Sequence, residues 1–456
     1  MQPRSGISEA ALRQAAGGAA LEVRRRFPGL RGLQVVTVPS GDTVASLIGR
    51  LNASGLVEYA EPDFLRHLNL SPNDPSYANG TLWGLNNTGQ SGGLADADID
   101  APEAWDIVNA ASNIVVAILD TGIRYTHEDL AANMWINPSG GGCGFNSITG
   151  TTNVMDDQGH GTLVSGVLGA VGNNGKGVTG VAWRTKLMAA KCFDSGGNSS
   201  DSYIIGAIDF ARTNGASVMI AAFDSTGFSI SLSNAIYAAR EAGIIFVTSV
   251  GNNSASIDAV LRYPACYQID NIVAVTATTR TDALLSVANY GVTNVDLAAP
   301  GESIHTTWSP TDSFYTSLFS GTSYAAPYVG GAFALVKTRY PTETHQQLIA
   351  RVLNGVDVLP SLAGKCATSG RLNLRKALSP PITLRFDSML VFLGQKTARW
   401  RVTAGPTRSF VVEASTNLIS WSSVYGGTTS AAGTAEFFDP TAVNHSRRFY
   451  RVVAEP

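Results

Sequence analysis

Five near-continuous apolar runs dominate the middle of the chain: IVVAILD (Ile114–Asp120), KLMAAKC (Lys186–Cys192), SVMIAAF (Ser217–Phe223), GIIFVTSV (Gly243–Val250) and NIVAVTAT (Asn271–Thr278). They are β-rich and lack the strict alternation of a strand with one wet face. Between several of them lie stretches that read as helices, among them Asp201–Thr213 and Leu232–Ala242. Apolar strands separated by helices predict an α/β domain, a parallel sheet covered on both faces, over residues 71–379. Ligands of such sheets bind at the carboxyl ends of the strands. Asp120 ends the first run and Asn252 sits just beyond the fourth.

The pattern differs on either side. Residues 1–70 read as a small α+β unit with helices at Glu9–Ala16 and Thr43–Leu51 and strands at Leu21–Phe27, Leu33–Val38 and Val57–Leu65. Such a unit buries little surface and is expected to lean on the larger domain after it. After the linker Pro380-Pro381, the segments ITLRFD, MLVFLG, ARWRVT, SFVVEAST, SWSSVY, TAEFFD and RFYRVVA predict seven short strands and an all-β sandwich over residues 382–456.

Composition narrows the class. The 456 residues are 44% hydrophobic and 15% charged with a net charge of -3, which suits a multidomain globular protein and excludes nucleic acid as the main partner. No apolar stretch reaches the ~18 residues of a membrane span. The N-terminal MQPRSGISEAALRQ lacks the apolar core of a signal peptide, so the chain is either cytosolic or has lost an export signal. Four cysteines, Cys143, Cys192, Cys266 and Cys366, show no close pair spacing; a zinc site is not expected, and two disulfides or four thiols are open.

Chemistry enters through FSGTSYAAPYVGG (Phe319–Gly331), which places Ser323 between a glycine turn and an apolar helical run. A hydroxyl at a helix N-terminus faces a dipole that favours developing negative charge, although the same features describe an ordinary cap serine. A base and an orienting acid decide between the two. His160, in DDQGHGTLVSGV, is flanked by glycines that leave room for a substrate. Asp120, in ILDTGIRYTHEDL, can hold an imidazole in one tautomer.

These three segments, in the order Asp, His, Ser, resemble the signature blocks of the subtilisin-like serine proteases, the subtilase family. The resemblance covers residues 1 to about 378. It implies that Ser323 attacks the scissile carbonyl, His160 relays the proton, Asp120 orients His160, and Asn252 in SVGNN donates to the oxyanion. It also implies a substrate edge over Ala222, Phe223 and Asp224 facing Ser249, Val250 and Gly251. The first 70 residues are similar to the family's propeptide, a folding aid and bound inhibitor. Its first strand is mostly missing before Ser8, and maturation is expected between His67 and Asn73. The thermitase-like branch further implies Ca2+, held by Asp74, Asp129, the Asn174 side chain and the backbone oxygens of Val171, Lys176 and Val178.

Departures from the family pattern carry information too. Leu163 replaces a histidine, and Ala222, 30 residues before Asn252, stands two positions before Asp224, where a glycine is usual. Asp224 either narrows the groove, favours a basic substrate residue, or turns to solvent. Strand topology pairs Cys143 with Cys192 and Cys266 with Cys366; the second pair would close a 100-residue loop, for which loop-closure entropy gives ~4.7 kcal/mol. Disulfides would imply an oxidising compartment. The expectation is a secreted, monomeric pro-protease acting on protein or peptide substrates and inhibited by its own propeptide. The rival is a catalytically silent homologue that binds peptides. The last domain is either a targeting module or a spacer.

Overall fold

The apolar runs become the centre of a nine-stranded sheet in the computed structural model, which describes all residues except 18–20, 40–43, 62, 64–69, 380–382, 393–394, 405–408, 419, 431–432, 440, 446 and 455–456. In chain order the strands are β1 (Ala110–Asp120), β2 (Gly144–Asn146), β3 (Arg184–Lys191), β4 (Val218–Ala221), β5 (Ile245–Ser249), β6 (Ile272–Thr278), β7 (Leu297–Pro300), β8 (Asp357–Val358) and β9 (Gly370–Arg371). Their spatial order is β8-β9-β7-β6-β5-β4-β1-β3-β2, parallel throughout except for the β8/β9 pair. From β1 the chain goes to β2 at one edge, returns to β3 beside β1, and then continues on the other side through β4 to β7. The order therefore reverses at β1, and the crevice expected of such a sheet opens at its carboxyl end, where Asp120 sits.

Alternation along β1 builds two cores. Val116 and Ile118 pack with Val164, Leu168, Val329 and Phe333. Ala117 and Leu119 face the other way, toward Ile204, Ile208 and Ile236. The first face is covered by α1 (His160–Gly169) and α4 (Thr322–Arg339), the second by α2 (Asp201–Thr213) and α3 (Ile230–Glu241). Helix α2 buries Ile204, Ala207, Ile208 and Ala211, a spacing that makes one apolar stripe. Helix α4 is instead buried all round from Tyr324 to Val336, as a helix inside a core must be. Gly331 lets it approach its neighbours: a Cβ there would lie 2.6 Å from Val181 Cβ.

Backbone contacts divide the chain into two units, one of Met1–Leu68 with Ile382–Glu455, the other of Asn69–Pro381. The N-terminal segment contains helices Glu9–Ala15 and Val44–Ala53 and strands Val23–Phe27, Leu33–Val36 and Val57–Tyr59, packed around Leu12, Leu47, Leu51 and Val57. Of the first strand, expected to be mostly missing, two residues are present: Gln2–Pro3 pairs antiparallel with Val57–Tyr59. Residues 67–69 of the expected cleavage stretch and the Pro380-Pro381 linker lie outside the described residues. Among the described residues the C-terminal segment has six strands in two three-stranded sheets, and Val402, Phe410, Val412 and Phe437 make a sandwich core. ITLRFD and MLVFLG form one strand, Thr383–Phe392, because a bulge between Phe386 and Ser388 lets the pairing continue.

The expected disulfides are absent; all four cysteines are buried thiols. Strand register explains the first: Cys143 O accepts from Ala189 N, and Cys192 lies three residues further along, roughly 10 Å away and out of reach of a bridge. Cys266 and Cys366 share an apolar cluster, but their sulfurs donate to the Ile257 and Gly370 carbonyls. Burial pushes the Cys143 thiol up to about 11. The cysteines therefore give no argument for an oxidising compartment.

Candidate active site

Asp120 ends β1 with its carboxylate turned to His160. The imidazole Nδ1 lies 2.9 Å from Oδ1 and 2.8 Å from Oδ2. The carboxylate is 6% exposed and the imidazole 27%, so the pair has a dry end and an open end. A carboxylate can only accept, which puts the proton on Nδ1 and leaves the Nε2 lone pair free. Burial alone would lower the pKa of His160; the Asp120 charge and hydrogen bond, with Asp156 behind them, outweigh it and raise the value above the ordinary 6.5.

Asp156 escaped the sequence reading and organises this corner. Its Oδ1 accepts from the Thr121 hydroxyl at 2.9 Å and Gly159 N at 2.7 Å, and its Oδ2 accepts from Thr162 N at 2.9 Å. It thereby ties the end of β1 to the start of α1, where a carboxylate also meets the helix dipole. Its signal was an acid four residues ahead of His160 at a helix start. Gly161 permits the contact, because a Cβ there would sit 2.1 Å from Gly122 O.

Ser323 is the second residue of α4, after Gly321 and Thr322. Thr322 fixes the helix end to the β5 loop: its hydroxyl accepts from Gly251 N at 3.2 Å, and its N–H donates to Asn252 Oδ1 at 2.9 Å. Because an N–H must meet an acceptor, this bond turns the Asn252 amide so that Nδ2 is free to donate. Asn289, a second residue missed from sequence, holds the loop: Nδ2 donates to Val250 O at 2.8 Å, and Oδ1 accepts from Asn253 N and Ala255 N, both at 3.0 Å. The Ser323 hydroxyl donates to Ala222 O at 3.1 Å. The ring of Tyr324, next in sequence, lies 6.1 Å from the His160 ring, so imidazole and serine share one crevice.

Ala222 and Phe223 continue from β4, with Phe223 against Phe193 at 5.1 Å between ring centroids. Ser249 and Val250 are buried at the end of β5. Asp224 does not turn to solvent. It pairs with Arg262 at 3.1 Å, a partner 38 residues away that no local pattern announced.

The residues expected around calcium also meet. Asp74 and Asp129 are fully buried. Asp74 accepts from Asn173 N at 2.7 Å and Asn174 N at 3.2 Å; Asp129 accepts from Asn174 Nδ2 at 2.8 Å and Val178 N at 2.9 Å. Val171 N donates to Asp129 O, and Lys176 N to Asn174 Oδ1. Burial raises the Asp74 pKa, backbone hydrogen bonds oppose this, and the Asp129 charge adds to the rise. Among the described residues no group of three or more His, Cys, Asp or Glu converges on one point. The donors present are two carboxylates plus amide and backbone oxygens.

A profile of the subtilase family matches residues 111–372. The chain belongs to the subtilase family. A profile of the fervidolysin N-terminal prodomain matches residues 4–63. The subtilase is 34% identical over 296 residues to the thermophilic serine proteinase of Bacillus sp. (strain AK1), covering 65% of this chain and 67% of that one. It is 33% identical over 280 residues to thermitase of Thermoactinomyces vulgaris, covering 61% and 93%. Among solved structures, a protease from Pseudoalteromonas arctica superposes with a TM-score of 0.58 at 26% identity, covering 68% of this subtilase and 99% of that chain. The protein is thus a serine endopeptidase of the subtilase family, with an N-terminal prodomain.

Proposed function

We propose that this subtilase cleaves protein chains through an acyl-enzyme on Ser323, and that its own prodomain junction between His67 and Asn73 is the first bond cut. The observation that carries this reading is the His160–Asp120 pair, whose free Nε2 opens onto the crevice where α4 presents Ser323. Rotation about the Ser323 Cα–Cβ bond moves the hydroxyl from Ala222 O toward Nε2. Oγ then attacks the scissile carbonyl carbon as its proton passes to Nε2, and Asp120 stabilises the imidazolium. The oxyanion accepts from Asn252 Nδ2 and Ser323 N–H, with the α4 dipole behind them. His160 returns the proton to the leaving amine, and water repeats the sequence on the ester. The substrate backbone lies between Ala222–Asp224 and Ser249–Gly251.

We assign structural calcium to Asp74, Asp129, Asn174 and the backbone oxygens of Val171, Lys176 and Val178. Two buried carboxylates with neutral oxygen donors suit a hard cation. The ion would neutralise the paired carboxylates and bind the segment after the prodomain to the loop after α1. We place the enzyme outside the cell, acting as a monomer; no helix among the described residues is long and apolar enough to cross a membrane. The C-terminal sandwich serves as a targeting module or spacer.

The Ser323–Ala222 bond favours one rival, a silent peptide-binding homologue. A fluorophosphonate separates the two. Mass spectrometry is expected to find one adduct, on Ser323, formed by the wild type and lost in Ser323→Ala; an unlabelled wild type would favour the rival.

A further inference from the structure

Two charged side chains unused by this mechanism lie beside the reacting centre. Asp224 stands two residues after Ala222, whose carbonyl holds the Ser323 hydroxyl, and its Oδ2 accepts from Arg262 Nη1 at 3.1 Å. The backbone fixes their segments side by side, since Ser225 N donates to Tyr263 O at 2.9 Å and Tyr263 N to Ser225 O at 2.7 Å. The Asp224 carboxyl also abuts the oxyanion loop: a Cβ on Gly251 would lie 2.8 Å from its Cγ. Gly251 immediately precedes Asn252. In the acyl-enzyme reading above, the carbonyl held by Asn252 belongs to the residue on the acyl side of the cleaved bond, which brings that residue next to Gly251 and Asp224.

We propose that the Asp224–Arg262 ion pair occupies the pocket for that side chain and restricts the subtilase to bonds following small uncharged residues, such as Ala or Ser. This rests on the acyl-enzyme reading above. Three physical points favour it. The side chains are 20% and 21% exposed, so they still draw on water, and a Phe or Leu laid over them would remove that water without replacing its hydrogen bonds. A substrate Lys meets an Asp224 already neutralised by Arg262, and a substrate Glu meets an Arg262 already neutralised by Asp224. A small residue asks nothing of either charge.

The test uses the full chain and four peptide p-nitroanilides that differ only in the residue before the cleaved bond, Ala, Phe, Lys or Glu. The wild type is expected to favour Ala by roughly tenfold or more in kcat/KM, a factor within what pocket shape supplies. Asp224→Asn, which keeps the shape, and Asp224→Gly expose Arg262 and are expected to raise the Glu peptide. Arg262→Gln exposes Asp224 and is expected to raise the Lys peptide. Asp224→Gly with Arg262→Gly removes both charges and is expected to raise Phe. Fluorophosphonate labelling of Ser323 in each variant checks that the reacting centre is intact. A wild type that cleaves after Phe as fast as after Ala, or labelled variants with an unchanged order of substrates, would overturn the inference alone. Failure of the wild type to label would overturn the acyl-enzyme reading and this inference with it.

Discussion

Both oxygens of Asp120 lie within hydrogen-bond reach of one ring nitrogen of His160, so the carboxylate sets the tautomer. It also raises the imidazole pKa above 6.5 against the effect of burial. A general base must be neutral, so kcat/KM should rise with pH through a value above 6.5. Asp120→Asn removes the charge that holds the value up. We expect the acid limb to move to lower pH and kcat to fall by roughly 10⁴-fold; a pH–rate profile with an unmoved limb would contradict this. Asn252→Ala removes the donor we propose for the oxyanion, one that would matter only once negative charge has formed. Its expected effect is a loss of roughly 10²–10³ in kcat with KM little changed, and steady-state kinetics showing a KM effect alone would count against the role. Asp120, His160, Asn252 and Ser323 were legible because each sits at or just past a strand end or helix start, within two residues of a glycine. Asp156, Asn289 and Arg262 were not, because their partners lie across turns and between strands. Asp224 shows the cost: without Arg262 its charge looked available to a substrate, and the ion pair removes that availability.

Among elements, the start of α1 is the most tightly specified. A methyl group on Gly161 would meet a carbonyl oxygen of the β1 turn rather than a movable side chain. Gly161→Ala should therefore cost about 1–3 kcal/mol of stability and lower kcat by displacing His160, which thermal melts and kinetics on one preparation would check. The loop from Val171 to Val178 is the one to which we assign a cation. Chelation should lower the melting temperature of the wild type, since an ion present at 100 times its Kd contributes about 2.7 kcal/mol. Asp74→Asn with Asp129→Asn should melt independently of chelator; an equal response in both proteins would remove calcium from these residues. The central strands were readable as near-continuous apolar runs, and the longer helices by their period. β2, β7, β8 and β9, of two to four residues each, show none. The extra strand predicted near Phe386 came from reading a bulge as a turn.

At the scale of the molecule, three runs of composition were visible along the chain, and the family match accounts for the two that carry a prodomain and a protease. The disulfides failed because compatible strands are not enough: the register between β2 and β3, invisible in sequence, keeps Cys143 and Cys192 apart. What joins the prodomain to the catalytic domain functionally is Ser323, if the enzyme removes its own first segment. The most direct measurement incubates the full chain and its Ser323→Ala form with casein and follows casein loss together with the N-terminal sequence of the enzyme. The wild type should consume casein and acquire a new N-terminus between His67 and Asn73, while Ser323→Ala does neither. Self-cleavage and casein loss at the wild-type rate in Ser323→Ala would contradict the central claim.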